Sequence, residues 1–193
     1  MKISILTIVT VMIMAVGTAH AQNHINIGTK IGLNSYNISN DNNMEFDSKI
    51  GMHAGIFGHI HLDGTSGQFA LQPELVYSMQ GAKFGNNTLH LDYINVPVLL
   101  QYMFDNGFRL HAGPQVGLLV RAKQSDNNVS VDVKDSFKSL DLGLSFGVSY
   151  IHVPTSFGID ARYNLGLNDI SESSISQSNK GLQIGIFYLF NHN

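Results

Sequence analysis

Four charged residues lie in the middle of segments that alternate between apolar and polar residues. Lys30, Glu74, Asp160 and Arg162 fall on the polar face of their segments, a face that also carries Arg109, Arg121 and Asp141. Two acids and two bases at similar heights could pair into an ion network. In the centre of a small closed sheet, such a network could be a structural plug or the lining of an ion-selecting conduit. We favour the plug, because a sheet of this size is just wide enough for side chains to fill.

Histidines are the candidate metal ligands, because the chain has no Cys. His53, His59, His61 and His111 share the polar face, and the i, i+2 spacing of His59 and His61 could bind a metal. His111 belongs to a strand that does not neighbour theirs, so a third ligand is not assured. We therefore expect these rings to fill a polar interior and predict no metal.

Catalytic residues are not predicted. His90 and Asp92 could join a serine in a hydrolytic site, but no Ser-centred elbow and no characteristic His–Ser spacing accompany them. We accordingly predict a protein that is not an enzyme and has no cofactor.

The chain is organised around a predicted hairpin. Asp105-Asn106-Gly107 separates two long apolar arms, residues 93–104 and 108–121, and Asn and Gly favour the positive φ of tight turns. Each arm exceeds ten residues, which is long for a soluble protein but suits a tilted strand that crosses a bilayer.

The same alternation predicts eight strands. They cover residues 25–34, 50–61, 68–80, 93–104, 108–121, 137–152, 157–166 and 182–190. Longer polar loops are predicted at Ser35–Ser48, Gly81–Asn87, Ala122–Ser136 and Asn168–Lys180 and alternate with shorter turns. The predicted fold is all-β, an eight-stranded antiparallel up-and-down transmembrane β-barrel with both termini in the periplasm.

Bulky aliphatic residues occupy the strand face that lacks mid-strand charges, whereas Gly is abundant on the other. This assignment places the apolar face against lipid and the small residues inside. Aromatic residues near one set of strand ends then form a periplasmic girdle. Its members are Phe69, Tyr102, Phe104, Phe108, Tyr150 and Phe157, together with Tyr188 and Phe190.

A secretory signal peptide is predicted at residues 1–21, with Lys2, an apolar run to Val16 and an Ala19-His20-Ala21 cleavage site. The barrel domain is then residues 22–193, in the outer membrane.

The net charge of −3 and the absence of a basic stripe exclude a nucleic-acid partner.

Five blocks resemble an outer-membrane β-barrel family that includes PorT-like and OmpA-like eight-stranded proteins. They are Gly28–Asn34, Gln72–Ser78, Tyr93–Leu100, Ala112–Gly117 and Asp160–Leu167. The C-terminus is similar to the signal read by the barrel-assembly machinery, with Gln183, Gly185, Tyr188 and Phe190 in the matching places. This resemblance implies outer-membrane lipid and that machinery as partners.

Pro73, Pro97 and Pro114 fall inside predicted strands, where each removes a ladder donor, so we expect β-bulges and an insecure register near them.

The favoured function is structural or interactive, through extracellular loops that contact a protein partner. An accessory role in secretion, implied by the PorT-like resemblance, and a narrow small-solute porin remain alternatives. The sequence leaves the ligand and the oligomeric state open.

Overall fold

The computed structural model describes residues 25–40, 46–62, 68–85, 87–126, 129–173 and 176–190. These contain nine strands: β1 (Ile25–Asn40), β2 (Asp47–His61), β3 (Phe69–Phe84), β4 (Asn87–Met103), β5 (Phe108–Asp126), β6 (Val129–Asp132), β7 (Leu140–His152), β8 (Phe157–Gly166) and β9 (Gln177–Leu189). Short 3₁₀ helices cover Lys134–Ser136 and Val153–Thr155. None of the helices in these ranges is long and apolar enough to span a membrane. The predicted signal peptide lies outside the described residues.

Eight of the strands close into an antiparallel barrel. Each strand from β1 to β5 pairs with the next, β5 pairs with β7, and β9 closes the ring by pairing with β1. The short strand β6 pairs with the end of β5 alone and forms a projecting hairpin. The predicted eight-stranded, up-and-down barrel is confirmed, and β6 is an addition that the sequence pattern did not indicate.

The two ends of the barrel differ. We call the end at which β1 begins and β9 finishes the near end, and the opposite end the far end. Strands reach further at the far end than predicted, because β1 continues to Asn40, β3 to Phe84 and β5 to Asp126. The loops predicted at Ser35–Ser48, Gly81–Asn87 and Ala122–Ser136 are therefore wrong in their bounds. Outside the lipid, a strand can carry polar residues on both faces, so a run of polar residues does not mean that the strand has ended.

The outer wall carries the aliphatic residues, as predicted. Ile31, Leu75, Leu144 and Ile184 are 48%, 49%, 42% and 58% exposed, whereas Lys30 and Glu74 beside them in sequence are buried. A soluble protein would have to hide such residues, but a bilayer solvates them.

Register shifts occur away from the prolines. Pro73 pairs with Val98 and Pro97 with Gln115 in a register that is unchanged beyond them, although adjacent pairs are missing from the ladder. The prediction of bulges at these prolines is thus wrong. The strand pairs on both sides of each proline have the same register, and only the pairs next to the proline are missing. The shifts lie between Ser48 and His53 of β2 and between Asp92 and Tyr93 of β4.

One of these shifts corrects the placement of Arg121. The strand parity puts this residue inside the barrel, but beside the irregularity it pairs with Asp92 and its side chain is 54% exposed. An extra residue in one strand reverses the face of everything beyond it.

Apolar clusters lie inside both ends. The near-end cluster contains Phe57, Ile151, Phe187 and Leu189. Here two glycines are needed for close approach, since a Cβ on Gly28 would lie 2.2 Å from the Phe57 ring and one on Gly158 would lie 2.1 Å from the Phe187 ring. The far-end cluster contains Ile38, Ala82, Leu91, Tyr93, Leu119, Ala122 and Ile170.

Candidate functional site

The four predicted charges meet at the centre of the lumen. Arg162 donates to both oxygens of Glu74 at 2.9 Å, and its guanidinium lies 3.4 Å from Asp160. The Lys30 ammonium lies 3.4 Å from Glu74 and 3.2 Å from Asp160. All four residues are at most 5% exposed. Two acids and two bases therefore balance in charge, and each carboxylate contacts both cations.

Amides and hydroxyls continue this filling on both sides of the charges. Toward the near end, Gln72 donates to Glu74 at 2.6 Å and Gln101 donates to Gln72 at 2.8 Å. Toward the far end, Asn34 donates to Ser78 at 2.9 Å, Asn164 donates to the Tyr36 hydroxyl at 2.8 Å, and Ser145 donates to Asn164. Polar layers between two apolar clusters thus fill the lumen along its length.

The space left beside the ion network is small. A cavity of about 10 Å³ touches Lys30, Gln72 and Asp160 and is closed on one side by Phe57 and Phe187. That volume is about enough for one water molecule. The geometry matches a plug better than a conduit.

Arg109 is a buried cation that lies outside this ion network. It faces the lumen near the near-end cluster and is 4% exposed, yet it forms no hydrogen bond or ion pair within the described part of the chain. Burying a cation without a counter-ion costs free energy, and the described residues supply none for Arg109.

The histidines do not form a metal site. His53, His59 and His111 are buried in the lumen, and the His111 Nε2 lies 3.4 Å from Asp160. The His59 and His61 rings meet edge to face, with centroids 4.7 Å apart. Among the described residues, no group of three or more His, Cys, Asp or Glu side chains could hold a metal ion.

Asp92 is part of the outer wall. It points outward on β4 but is 1% exposed, because Tyr77 donates to it at 2.9 Å and Arg121 covers it at 3.6 Å. These contacts give Asp92 a structural role in the outer wall.

The predicted aromatic residues gather at the near end. Ring contacts join Phe69 to Tyr102, Tyr102 to Phe104, Phe108 to Tyr150, Phe157 to Tyr188 and Tyr188 to Phe190, with centroids 4.8–5.4 Å apart. They cover much of the circumference at one height. Tyr188 and Phe190, which also belong to the predicted insertion signal, lie in this ring, while Gln183 points into the lumen and Gly185 packs beside Gly32.

A cleft opens at the far end, above the apolar cluster. Its volume is about 290 Å³. Its apolar wall consists of Phe46, Ala82, Phe84, Leu89, Val133 and Phe137, and its polar wall of Asn87, Gln124, Ser136, Ser171, Ser173 and Gln177. The lining contains no charged side chain among the described residues, although Lys and Asp are common at this end.

Asp169 holds the segment beside the cleft. Hydrogen bonds from the Lys138 ammonium at 2.7 Å and from the backbone N–H groups of Gln177 and Ser171 at 2.8 and 3.0 Å lower the pKa of Asp169 to about 2. Lys138 N–H also donates to the Ile170 carbonyl at 2.8 Å. The residues that enter β7 and β9 are thereby tied together.

Sequence reasoning missed this cleft because it assigned most of its residues to polar loops. The available signal was the isolated apolar residues, Phe46, Phe84, Val133 and Phe137, within otherwise polar stretches. A large apolar side chain in a solvated loop needs somewhere to pack, and Phe46, Val133 and Phe137 pack against the far-end cluster. Phe84 packs against Phe46.

Comparison with known proteins agrees with this architecture. Residues 20–172 match the family described as outer membrane protein beta-barrel domain. No curated protein sequence matches the chain.

Solved structures with a similar fold include surface protein A (NspA) of Neisseria. It has a TM-score of 0.57 and 15% identity, over 85% of this chain and 97% of that one. Ail, the attachment invasion locus protein of Yersinia pestis, has a TM-score of 0.53 and 16% identity, over 86% and 98%. Ail in complex with the heparin analogue sucrose octasulfate gives 0.54 and 16%, over 86% and 99%.

The closed eight-stranded barrel, its apolar outer wall and the match over most of its length lead to one conclusion: this chain belongs to the outer membrane β-barrel family, and it is an outer-membrane protein.

Proposed function

We propose that this protein is a non-enzymatic outer-membrane barrel that binds its partner with the far end, which faces the cell exterior. The observation that carries the proposal is the contrast between a lumen filled with paired side chains and a far end that offers a projecting hairpin and an open cleft. A barrel without a conduit has only its exposed ends and its lipid-facing wall with which to act.

Differences between the two ends support this orientation. The near end has compact turns at 104–107 and 153–156 and the ring of aromatic residues, and the far end has the projection of β5 and β6. Barrels of this class place short turns in the periplasm and longer connections outside. In this orientation β1 begins and β9 finishes at the periplasmic side, and residues 1–21 act as the export signal.

The names of the structural relatives fit an interaction role, since one is a surface protein and another an attachment invasion locus protein. None of the reported matches supports an accessory role in secretion. The filled lumen argues against a porin.

Photo-crosslinking in living cells tests the proposal. A crosslinking amino acid at Val131, which is 55% exposed on β6, should give a discrete adduct, while one at Asn106 in a near-end turn should not. Adducts at Asn106 alone would indicate a periplasmic partner, as the secretion role requires, and would contradict the proposal.

A further inference from the structure

We propose that the far-end cleft binds an uncharged small molecule that has an aromatic or short aliphatic body and hydrogen-bonding groups at one edge. This inference rests on the proposed function, because it assigns a ligand class to the end of the barrel that faces outward.

The size of the cleft sets the size of the ligand. About 290 Å³ is at the lower limit of small-molecule pockets, too small for a folded domain and enough for a compact ring system. The cleft lies at the far end of the barrel and is open, so a ligand can enter it from outside the protein.

The apolar wall of the cleft favours a ligand with an apolar body. The rings of Phe46 and Phe84 are in tilted contact with centroids 5.6 Å apart, and Phe137 and Val133 pack on the cluster beneath. Covering these side chains with an apolar body removes their surface from water, which is the main favourable term for such a ligand.

The polar wall determines the charge of the ligand. Amides of Asn87, Gln124 and Gln177 and hydroxyls of Ser136 and Ser171 can donate and accept hydrogen bonds but cannot neutralise an ion. Burying a charged group without a counter-ion is costly, whereas a neutral hydroxyl or amide finds partners on this wall. The described part of the lining therefore favours an uncharged molecule over a charged one.

A matched pair of probes tests both properties. 2-Naphthol is a neutral ring with one hydroxyl, and 2-naphthalenesulfonate has the same ring with a fixed negative charge. Each is titrated into the protein in lipid nanodiscs while backbone amide shifts are followed by NMR, which separates cleft binding from partition into lipid. We expect saturable shifts at Phe46, Leu89 and Val133 with 2-naphthol, and binding weaker by about tenfold or more with the sulfonate.

A pair of variants tests the location. Ser136 lines the cleft and is exposed, so Ser136→Trp should fill the cleft from its rim and weaken 2-naphthol binding by about tenfold or more. Ser139 is also exposed but does not line the cleft, so Ser139→Trp is the control and should bind as the native chain does.

Three results would overturn the inference: equal binding of the two probes, shifts confined to the lipid-facing wall, or unchanged binding in Ser136→Trp. The probe comparison uses the native chain, so it decides the matter even if a variant fails to fold. Crosslinking at Val131 without 2-naphthol binding would reject the cleft and leave the proposed function standing. Binding without far-end crosslinks would reject the partner interaction instead.

Discussion

Two buried arginines in one lumen should have opposite effects on stability when each is replaced by Met. Arg162 and Arg109 are 2% and 4% exposed, and Met fills similar space without charge. Arg162 donates twice to Glu74 at 2.9 Å and lies 3.4 Å from Asp160, whereas Arg109 has no partner in the described part of the chain.

The magnitudes follow from these contacts. Arg162→Met leaves two buried carboxylates with Lys30 as their remaining cation within 4 Å, and breaking such a pair costs about 3–5 kcal/mol. Arg109→Met removes the desolvation cost of a cation that has no counter-ion among the described residues, so we expect the free energy of unfolding to rise by about 1–3 kcal/mol. Arg162→Lys keeps the charge but not the two-pronged geometry and should fall between Arg162→Met and the native chain.

Equilibrium unfolding in guanidinium chloride, with the protein folded into lipid vesicles, measures all three variants. Unchanged slopes with denaturant would show that the midpoints report stability. If Arg109→Met destabilised the barrel as much as Arg162→Met does, the pairing of charges would not be what stabilises the lumen, and the reasoning would fail.

Three further predictions concern other parts of the barrel. Gly158→Ala should displace Phe187 and lower the free energy of unfolding by about 1–3 kcal/mol, whereas Gly58→Ala, whose new Cβ would approach no atom closer than 3.7 Å, should change it little; denaturant unfolding compares them. Because the pKa of Asp169 is lowered from 3.8 to about 2, its hydrogen bonds should persist while the pH falls through the usual carboxyl range and be lost only near pH 2. Amide exchange at Gln177 and Ser171 should rise at that pH, and Asp169→Asn should raise the same exchange already at neutral pH. Vesicles that contain the barrel should leak arabinose no faster than protein-free vesicles, and rapid leakage would show that the lumen conducts.

The sequence predicted the wall of the barrel more fully than its ends. Alternation of apolar and polar residues is strict where one face meets lipid, so Ile31 and Lys30 could be assigned to opposite faces from their spacing alone. The same parity placed Lys30, Glu74, Asp160 and Arg162 on the inward face of three strands, β1, β3 and β8. Which of these side chains bond to each other depends on strand register and on side-chain rotamers, and the alternation of apolar and polar residues gives neither.

Beyond the bilayer that constraint disappears. The end of β1 buries Tyr36 and Ile38 inside the barrel, so its apolar face no longer points outward, and β6 has only four residues. The irregularity beside Asp92 places Arg121 on the outer wall. The cleft joins Phe46, Leu89 and Phe137 from three distant segments, so only the closed ring of strands could reveal it.

Labelling of single cysteines in intact cells tests most directly the claim that the far end faces outward. The chain has no cysteine of its own, so Val129→Cys at the far end and Asn106→Cys at the near end each carry a unique thiol. A membrane-impermeant maleimide should label Val129→Cys in intact cells and Asn106→Cys only after the outer membrane is permeabilised. Labelling of Asn106→Cys but not Val129→Cys in intact cells would contradict the proposed orientation and the function that depends on it.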